Sequence, residues 1–294
     1  MKLFTLLRYS PGAIRFRLLR DLLSVLVLTV AALVLAIYLL GAEMRRELAW
    51  SRITQAQTLV REEMRRLVEP LERQLNIARD WIRSGELALT DPAELNLRFI
   101  PTLAHLEQVS GLAIAGDDGA EYFLLRGDGE WLTRLRPPGA SGQVQWSRWS
   151  AAGERLAGWD EDSGYDPRER PWYQGAIAGM AEQRISWSQP YLFHSRQVPG
   201  ITASLAWPGE TGVRVLALDL ELSRVVQAME QLPIAAGEEA FLFRDDGGVF
   251  LPPGLADSDD EQRQQASFVA ATARLGSPLA FDGVHAWLGR GKPA

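Results

Sequence analysis

The segment richest in potential chemistry is Gly164-Tyr165-Asp166-Pro167-Arg168-Glu169-Arg170-Pro171-Trp172-Tyr173. Proline fixes φ and lacks an N–H, so two of them here exclude a central strand or a helix interior and predict a stiff, open loop. Such a loop presents two arginines, two tyrosines and a tryptophan. An arginine fork can hold a carboxylate through two hydrogen bonds, and aromatic rings can wall a small ligand. The same residues also have a purely structural reading. In it, Arg170 ties the loop down through backbone carbonyls and Asp166, and the rings plug a core. Residue types alone leave both open.

Other candidate chemistry is sparse. His105, His194 and His285 lie far apart and lack metal-ligand spacing, so they are expected at the surface or in packing. Asp245-Asp246-Gly247-Gly248 resembles half of a calcium loop, but the twelfth position counted from Asp245 is Ala256, so a hairpin turn is expected. Asp257-Ser258-Asp259-Asp260-Glu261 reads as a solvated acidic loop. Gly-x-Ser-x-Gly, Walker A, kinase and nucleophile-triad patterns do not occur. The expectation is no catalytic residue, no metal site and no cofactor. Ten tryptophans are many for this length. Most should fill sheet cores, with Trp146, Trp149, Trp159 and Trp187 as further candidates for a pocket wall.

Composition narrows the function class. The 294 residues include no cysteine, which excludes disulfides, Cys-zinc and iron–sulfur sites and a thiol nucleophile. The net charge of −6 argues against nonspecific nucleic-acid binding. That charge is unevenly spread: residues 1–21 carry net +4, residues 22–42 carry none, and the remainder carries −10. Leu22 to Ala42 is 21 uncharged residues, long enough at about 1.5 Å per residue for a hydrocarbon core of about 30 Å. A buried soluble helix or a cleaved signal peptide are the alternatives. The length of the run and the poor cleavage site at Leu39-Leu40-Gly41-Ala42 favour an uncleaved anchor. The basic leader then stays in the cytoplasm and residues 43–294 are exported.

From Met44 to about Arg83 apolar residues recur at Ile53, Ala56, Val60, Met64, Leu67, Leu71, Leu75, Ala78 and Ile82. The steps of three and four give about 3.6 residues per turn, the period of a nearly straight helix that packs along a domain or on a second copy of itself. Pro70 should bend it and Gly85 should end it. After a polar stretch with Asp91-Pro92 and Pro101, short strands are expected at Gly111–Ala115, Glu121–Arg126, Trp131–Arg136, Gln143–Trp149, Ile185–Trp187, Ile201–Trp207 and Val213–Asp219. A helix follows at Glu221–Gln231. Ala240–Arg244 and Val249–Leu251 form a second strand-turn-strand that echoes the first, which suggests two copies of one α+β module.

The Tyr-Asp-Pro-Arg-x-Arg-Pro-Trp-Tyr run, followed by Ser188-Gln189-Pro190-Tyr191 and by the strand ending Leu216-Ala217-Leu218-Asp219-Leu220, resembles the double Cache (dCache) family. These are extracytoplasmic sensor domains of bacterial transmembrane receptors. The resemblance covers about residues 22–290. It implies an α+β fold with an N-terminal transmembrane helix, a long juxtamembrane helix and two PAS-like antiparallel-sheet modules. The corresponding divisions are a basic leader (1–21), the transmembrane helix (22–42), the long helix (43–84), a membrane-distal ligand-binding module (85–221) and a membrane-proximal module (222–294). The last looks incomplete at its end near Gly289-Arg290-Gly291, so the chain is expected to be a fragment lacking a second transmembrane helix and an output domain. The resemblance further implies ligand contacts from Tyr165, Arg170, Trp172, Tyr173, Tyr191 and Asp219. Arginine and the rings take a carboxylate and the aspartate takes an amine. Residue types leave Asp219 a second role, capping the helix that begins at Glu221. Leu192 and Phe193 stand where amino-acid binders often place a polar residue, which suits another carboxylate or an amine. The implied partners are a small molecule, the bacterial inner membrane and a second copy through the long helix. A vestigial pocket on a protein-interaction module, or an extracytoplasmic enzyme, are the readings from other classes.

Overall fold

The computed structural model describes residues 11–85, 91–140, 142–209, 212–232, 242–243 and 249–251. It divides into two units, Met1–Leu59 and Val60–Ala294. Helix α1, Pro11–Arg83, runs through both and contains Pro70. In the first unit it carries Phe16–Gly41, with mean hydropathy 2.8 and none of it buried, a span long and apolar enough to cross a membrane. Gly85 follows the helix end at φ +74, a left-handed conformation that glycine adopts without strain.

The second unit is built on an antiparallel sheet. Its strands are β1 (Val109–Gly116), β2 (Glu121–Arg126), β3 (Glu130–Arg136), β4 (Gln143–Ser150), β5 (Arg155–Asp162), β6 (Ser186–Trp187), β7 (Tyr191–Leu192), β8 (Pro199–Gly209) and β9 (Gly212–Glu221). The order is β5-β4-β3-β2-β1-β9-β8-β6, with β7 also on β8. The mixed helix and antiparallel-sheet class is as expected from the sequence, and every strand expected between 111 and 219 is present. A further small pair, β10 (Leu242–Phe243) with β11 (Val249–Leu251), matches part of the second strand-turn-strand. Its Asp245–Gly248 turn, the acidic run 257–261 and His285 lie outside the described residues.

Alternation along the strands gives the sheet two different faces. One face presents Leu112, Ile114, Tyr122, Leu124, Leu216, Leu218 and Leu220 to a large apolar core. Helix α1 closes this core with Leu71, Leu75 and Ala78, all buried, from the stripe expected in the sequence, with Met64, Leu67 and Ile82 packed beside them. Helix α4 (Leu222–Glu230) adds Leu222, Val225 and Val226. The opposite face is paved with small residues, Ala113, Ala115, Ala206 and Ala217, and receives helix α3 (Pro171–Ala178). Small side chains let that helix approach and leave room beside it.

Three elements depart from the sequence expectation. Residues 92–104 form helix α2. Asp91 accepts hydrogen bonds from the amides of Ala93 (2.9 Å) and Glu94 (3.4 Å), and Pro92 occupies the first turn, where it costs nothing. Pro101 removes one bond, but the carbonyl it leaves belongs to the exposed Leu97 turn, which water can reach. Strand β5 is polar and mostly exposed, so its pattern carries no alternation signal. The motif is not loop throughout: Pro171 opens α3, which puts Trp172 and Tyr173 on a helix. The prolines exclude helix interiors, not first turns.

Candidate functional site

The motif is set in place locally. Gly164 turns the chain at φ +59. Asp166 then caps a single 3₁₀ turn, Pro167–Glu169, accepting from the Arg168 amide at 2.9 Å. Arg168, rather than Arg170, pairs with the Asp166 carboxylate (2.6 Å) and reaches the carbonyl of Asp117 (3.2 Å). The Arg168 guanidinium beside Asp166 holds that carboxyl below its usual value. Arg168 therefore anchors the loop to the β1–β2 turn and leaves Arg170 to point elsewhere. Ser204 on β8 donates to the carbonyls of Trp172 (2.8 Å) and Ser186 (3.3 Å), pinning α3 to the sheet.

Arg170, Tyr165, Trp172, Tyr191 and Asp219 line one cavity on the small-residue face of the sheet, together with Phe123, Phe193, His194 and Ser195. Five of the six residues named from the sequence thus converge. The sixth, Tyr173, is buried beside Trp172 with ring centres 5.7 Å apart, in the core around α3 rather than on the cavity wall. Arg170 donates to the Leu192 carbonyl (2.9 Å), and its guanidinium lies 5.3 Å from the Tyr191 ring centre and 6.0 Å from that of Tyr165. It makes the backbone tie that the structural reading expected, but not the one to Asp166.

Asp219 does not cap α4, whose N-cap Glu221 makes no side-chain capping bond. Its Oδ1 accepts from the Thr202 hydroxyl (2.6 Å), which in turn meets the Tyr191 hydroxyl (2.7 Å). Among the described residues no donor reaches Oδ2. Burial pushes the Asp219 carboxyl up to about 7, against the Thr202 hydrogen bond, with Glu121 and Glu221 adding repulsion. Burial also raises the Tyr165 and Tyr191 hydroxyls, so both stay protonated donors. His194, 4.8 Å from Tyr165 ring to ring, is lowered by burial and by Arg134 and Arg170, and stays neutral near pH 7.

His194 is exposed, as the sequence leads one to expect, and also lines the cavity. Nothing in the sequence pattern marked Arg134 or Glu121. Arg134 lines the cavity, and its Nη2 lies 2.8 Å from Oε2 of Glu121, with both side chains buried. Burial raises the Glu121 carboxyl and Arg134 opposes it. Trp146 stacks on Trp159 behind Arg134. Trp149 packs in the core on the helix-covered face of the sheet, and Trp187 packs against that core. Among the described residues no cluster of metal-ligating side chains occurs.

The cavity volume is about 30 Å³, room for roughly two waters. That is far below the roughly 300–1,000 Å³ of clefts that enclose larger ligands. A ligand of even a few heavy atoms must therefore displace side chains or the turn 193–198.

No protein-family model matches the chain. Over 80 residues it is 35% identical to the methyl-accepting chemotaxis protein McpB of Bacillus subtilis, a stretch that is 27% of this chain and 11% of McpB. Over 92 residues it is 33% identical to the methyl-accepting chemotaxis protein McpG of Pseudomonas putida, 31% of this chain and 14% of McpG. The matches thus span less than a sixth of either relative. Among solved structures, the ligand-binding domain of the Pseudomonas aeruginosa PAO1 amino acid chemoreceptor PctC in complex with GABA is similar over 69% of this chain and 77% of that domain. The identity is 18% and the TM-score 0.43.

Proposed function

We propose that this chain is the extracytoplasmic small-molecule sensor region of a bacterial transmembrane signalling receptor of the double Cache type, with no reaction of its own. The distal module, 85–221, binds a small carboxylate or amino-acid-like ligand, and 222–294 forms the membrane-proximal module. The observation that carries this reading is the convergence of Arg170 and Asp219 on one aromatic-walled cavity. A cation and an anion on one cavity suit the two ends of a zwitterion, and the Tyr191 and Tyr165 faces back the guanidinium. The partial identity to two chemotaxis proteins supports the receptor class.

Relay to the long helix has a physical route. Ser204 links Trp172 to Ser186 on one face of the sheet. The next residue, Trp187, points to the other face and donates to Glu72 of α1 at 2.9 Å. A two-residue edge strand thus joins the cavity wall to α1. In the proposed receptor that helix pairs with a second copy and biases two arrangements.

A second reading is an amine sensor. Asp219 has an oxygen to spare, which also suits a ligand whose one charge is an ammonium. A thermal-shift screen of the full chain in lipid nanodiscs against L-amino acids, organic acids and short alkylamines separates the two. At a hundred times Kd a ligand adds about 2.7 kcal/mol of stability. Loss of a carboxylate hit in Arg170→Ala supports the first reading. A hit that needs Asp219 and ignores Arg170 supports the second. A hit that ignores both places the site elsewhere.

A further inference from the structure

Arg134 and Glu121 form an ion pair on adjacent strands, and no ligand contact proposed above uses it. The side chains are 2% and 0% exposed. Nε and Nη2 of Arg134 both reach Oε2 of Glu121, at 2.9 and 2.8 Å. Taking two charges out of water is costly, and well-packed apolar residues in their place are often no less stable. Stability is therefore a weak explanation for the pair, and what else the guanidinium touches becomes the question.

It touches two segments that wall the cavity. Its central carbon lies 4.0 Å from the centre of the Tyr165 ring, and its Nη1 donates to the Ser195 hydroxyl at 3.1 Å. Tyr165 comes from the loop before α3, and Ser195 from the turn between β7 and β8. Phe123 and Trp146 flank the guanidinium at 4.8 and 5.5 Å, so ring packing holds it alongside the ion pair. One side chain rooted in the sheet thus meets both walls.

We propose that Arg134, locked by Glu121, is a positioning residue of this site that holds Tyr165 and the Ser195 turn in the closed arrangement. The proposal rests on the cavity being the ligand site, though its test does not. Within this cluster the bond to Ser195 is the only one made to a hydroxyl on the turn. Opening breaks that bond and leaves the ion pair whole, so the turn moves while the sheet stays fixed.

The test uses the full chain in lipid nanodiscs and needs no ligand. Hydrogen exchange is followed at the amides of Phe193 and Gln197, which close the turn through bonds of 2.9 and 2.8 Å to Val198 and Phe193. The fluorine resonance of 3-fluorotyrosine at position 165 reports the cation over the ring. Arg134→Lys keeps a charge for Glu121 but lacks the fork. It should melt within about 5 °C of wild type, speed exchange at both amides about tenfold or more, and shift the Tyr165 resonance. Ser195→Ala should speed the same exchange and leave the fluorine resonance in place. Exchange within about twofold of wild type in Ser195→Ala overturns the proposal, whether or not Arg134→Lys folds. Acceleration spread equally over β1 and β2 also overturns it, because that is lost stability rather than lost positioning. If wild type binds no amino acid, acid or amine while these signatures appear, the positioning stands and the sensor reading fails.

Discussion

Asp219 is the residue whose protonation the account makes most consequential. Its folded value of about 7 exceeds the ordinary carboxylate value near 4. Between those values the folded chain holds a proton that the unfolded chain has lost. Asp219 therefore favours folding most below about pH 4, and this contribution is lost as pH rises through 7. For a cationic ligand the sign reverses, because the ammonium needs the ionised form. Its affinity should fall by up to about tenfold per unit as pH drops below 7, and Asp219→Asn should abolish that slope in a pH series of titrations. Glu121, Glu221, Arg134 and Tyr165 face Asp219 electrostatically, and Thr202 through a hydrogen bond, so the slope belongs to the cluster. Gly200→Ala tests the aromatic wall. A Cβ there would collide with the Phe193 ring, so the ring must move and binding should weaken with the fold intact, as melting and titration on one sample would show. Tyr165, Arg170, Trp172 and Asp219 were legible only through the resemblance to a known family, since residue types alone left a purely structural role open. Arg134 and Glu121 were not. In Glu130–Arg136 a charge reads as the solvent side of a half-buried strand, whereas both faces of this sheet are covered.

At the scale of elements, α1 was legible and its partner face was not. Its apolar period is regular from Ile53 onward, yet Ile53 is 48% exposed while Leu71 and Leu75 are fully buried. Periodicity reports a stripe and cannot say where along it a sheet begins. Leu75→Ala should cost about 2–5 kcal/mol in denaturant unfolding followed by near-ultraviolet circular dichroism, and Ile53→Ala far less. Trp187→Phe removes the N–H that reaches Glu72 and keeps most of the apolar area. It should cost about 1 kcal/mol and, if β6 carries the relay, uncouple ligand binding from exchange protection in residues 64–82. Helix α2 and strand β5 escaped the sequence reading for opposite reasons. The first hides behind two prolines, one in a harmless first turn, and the second is too exposed to show a pattern.

For the whole molecule, the separation of charge into +4, 0 and −10 fits the proposed topology of basic leader, span and exported domain. Leu33→Arg, near the middle of the uncharged run 22–42, should cost about 2.5–3.5 kcal/mol of insertion and release chain from alkaline-washed membranes. The central claim is that Arg170 and Asp219 together bind the ligand in the cavity on the small-residue face. Isothermal titration of the full chain in nanodiscs with its strongest thermal-shift hit tests it most directly, comparing wild type with Arg170→Ala/Asp219→Asn. The account predicts one site per chain and an affinity loss of about a hundredfold or more in the folded variant, two charged contacts of about 1.5–3 kcal/mol each. An unchanged Kd in a variant that melts like wild type would contradict it.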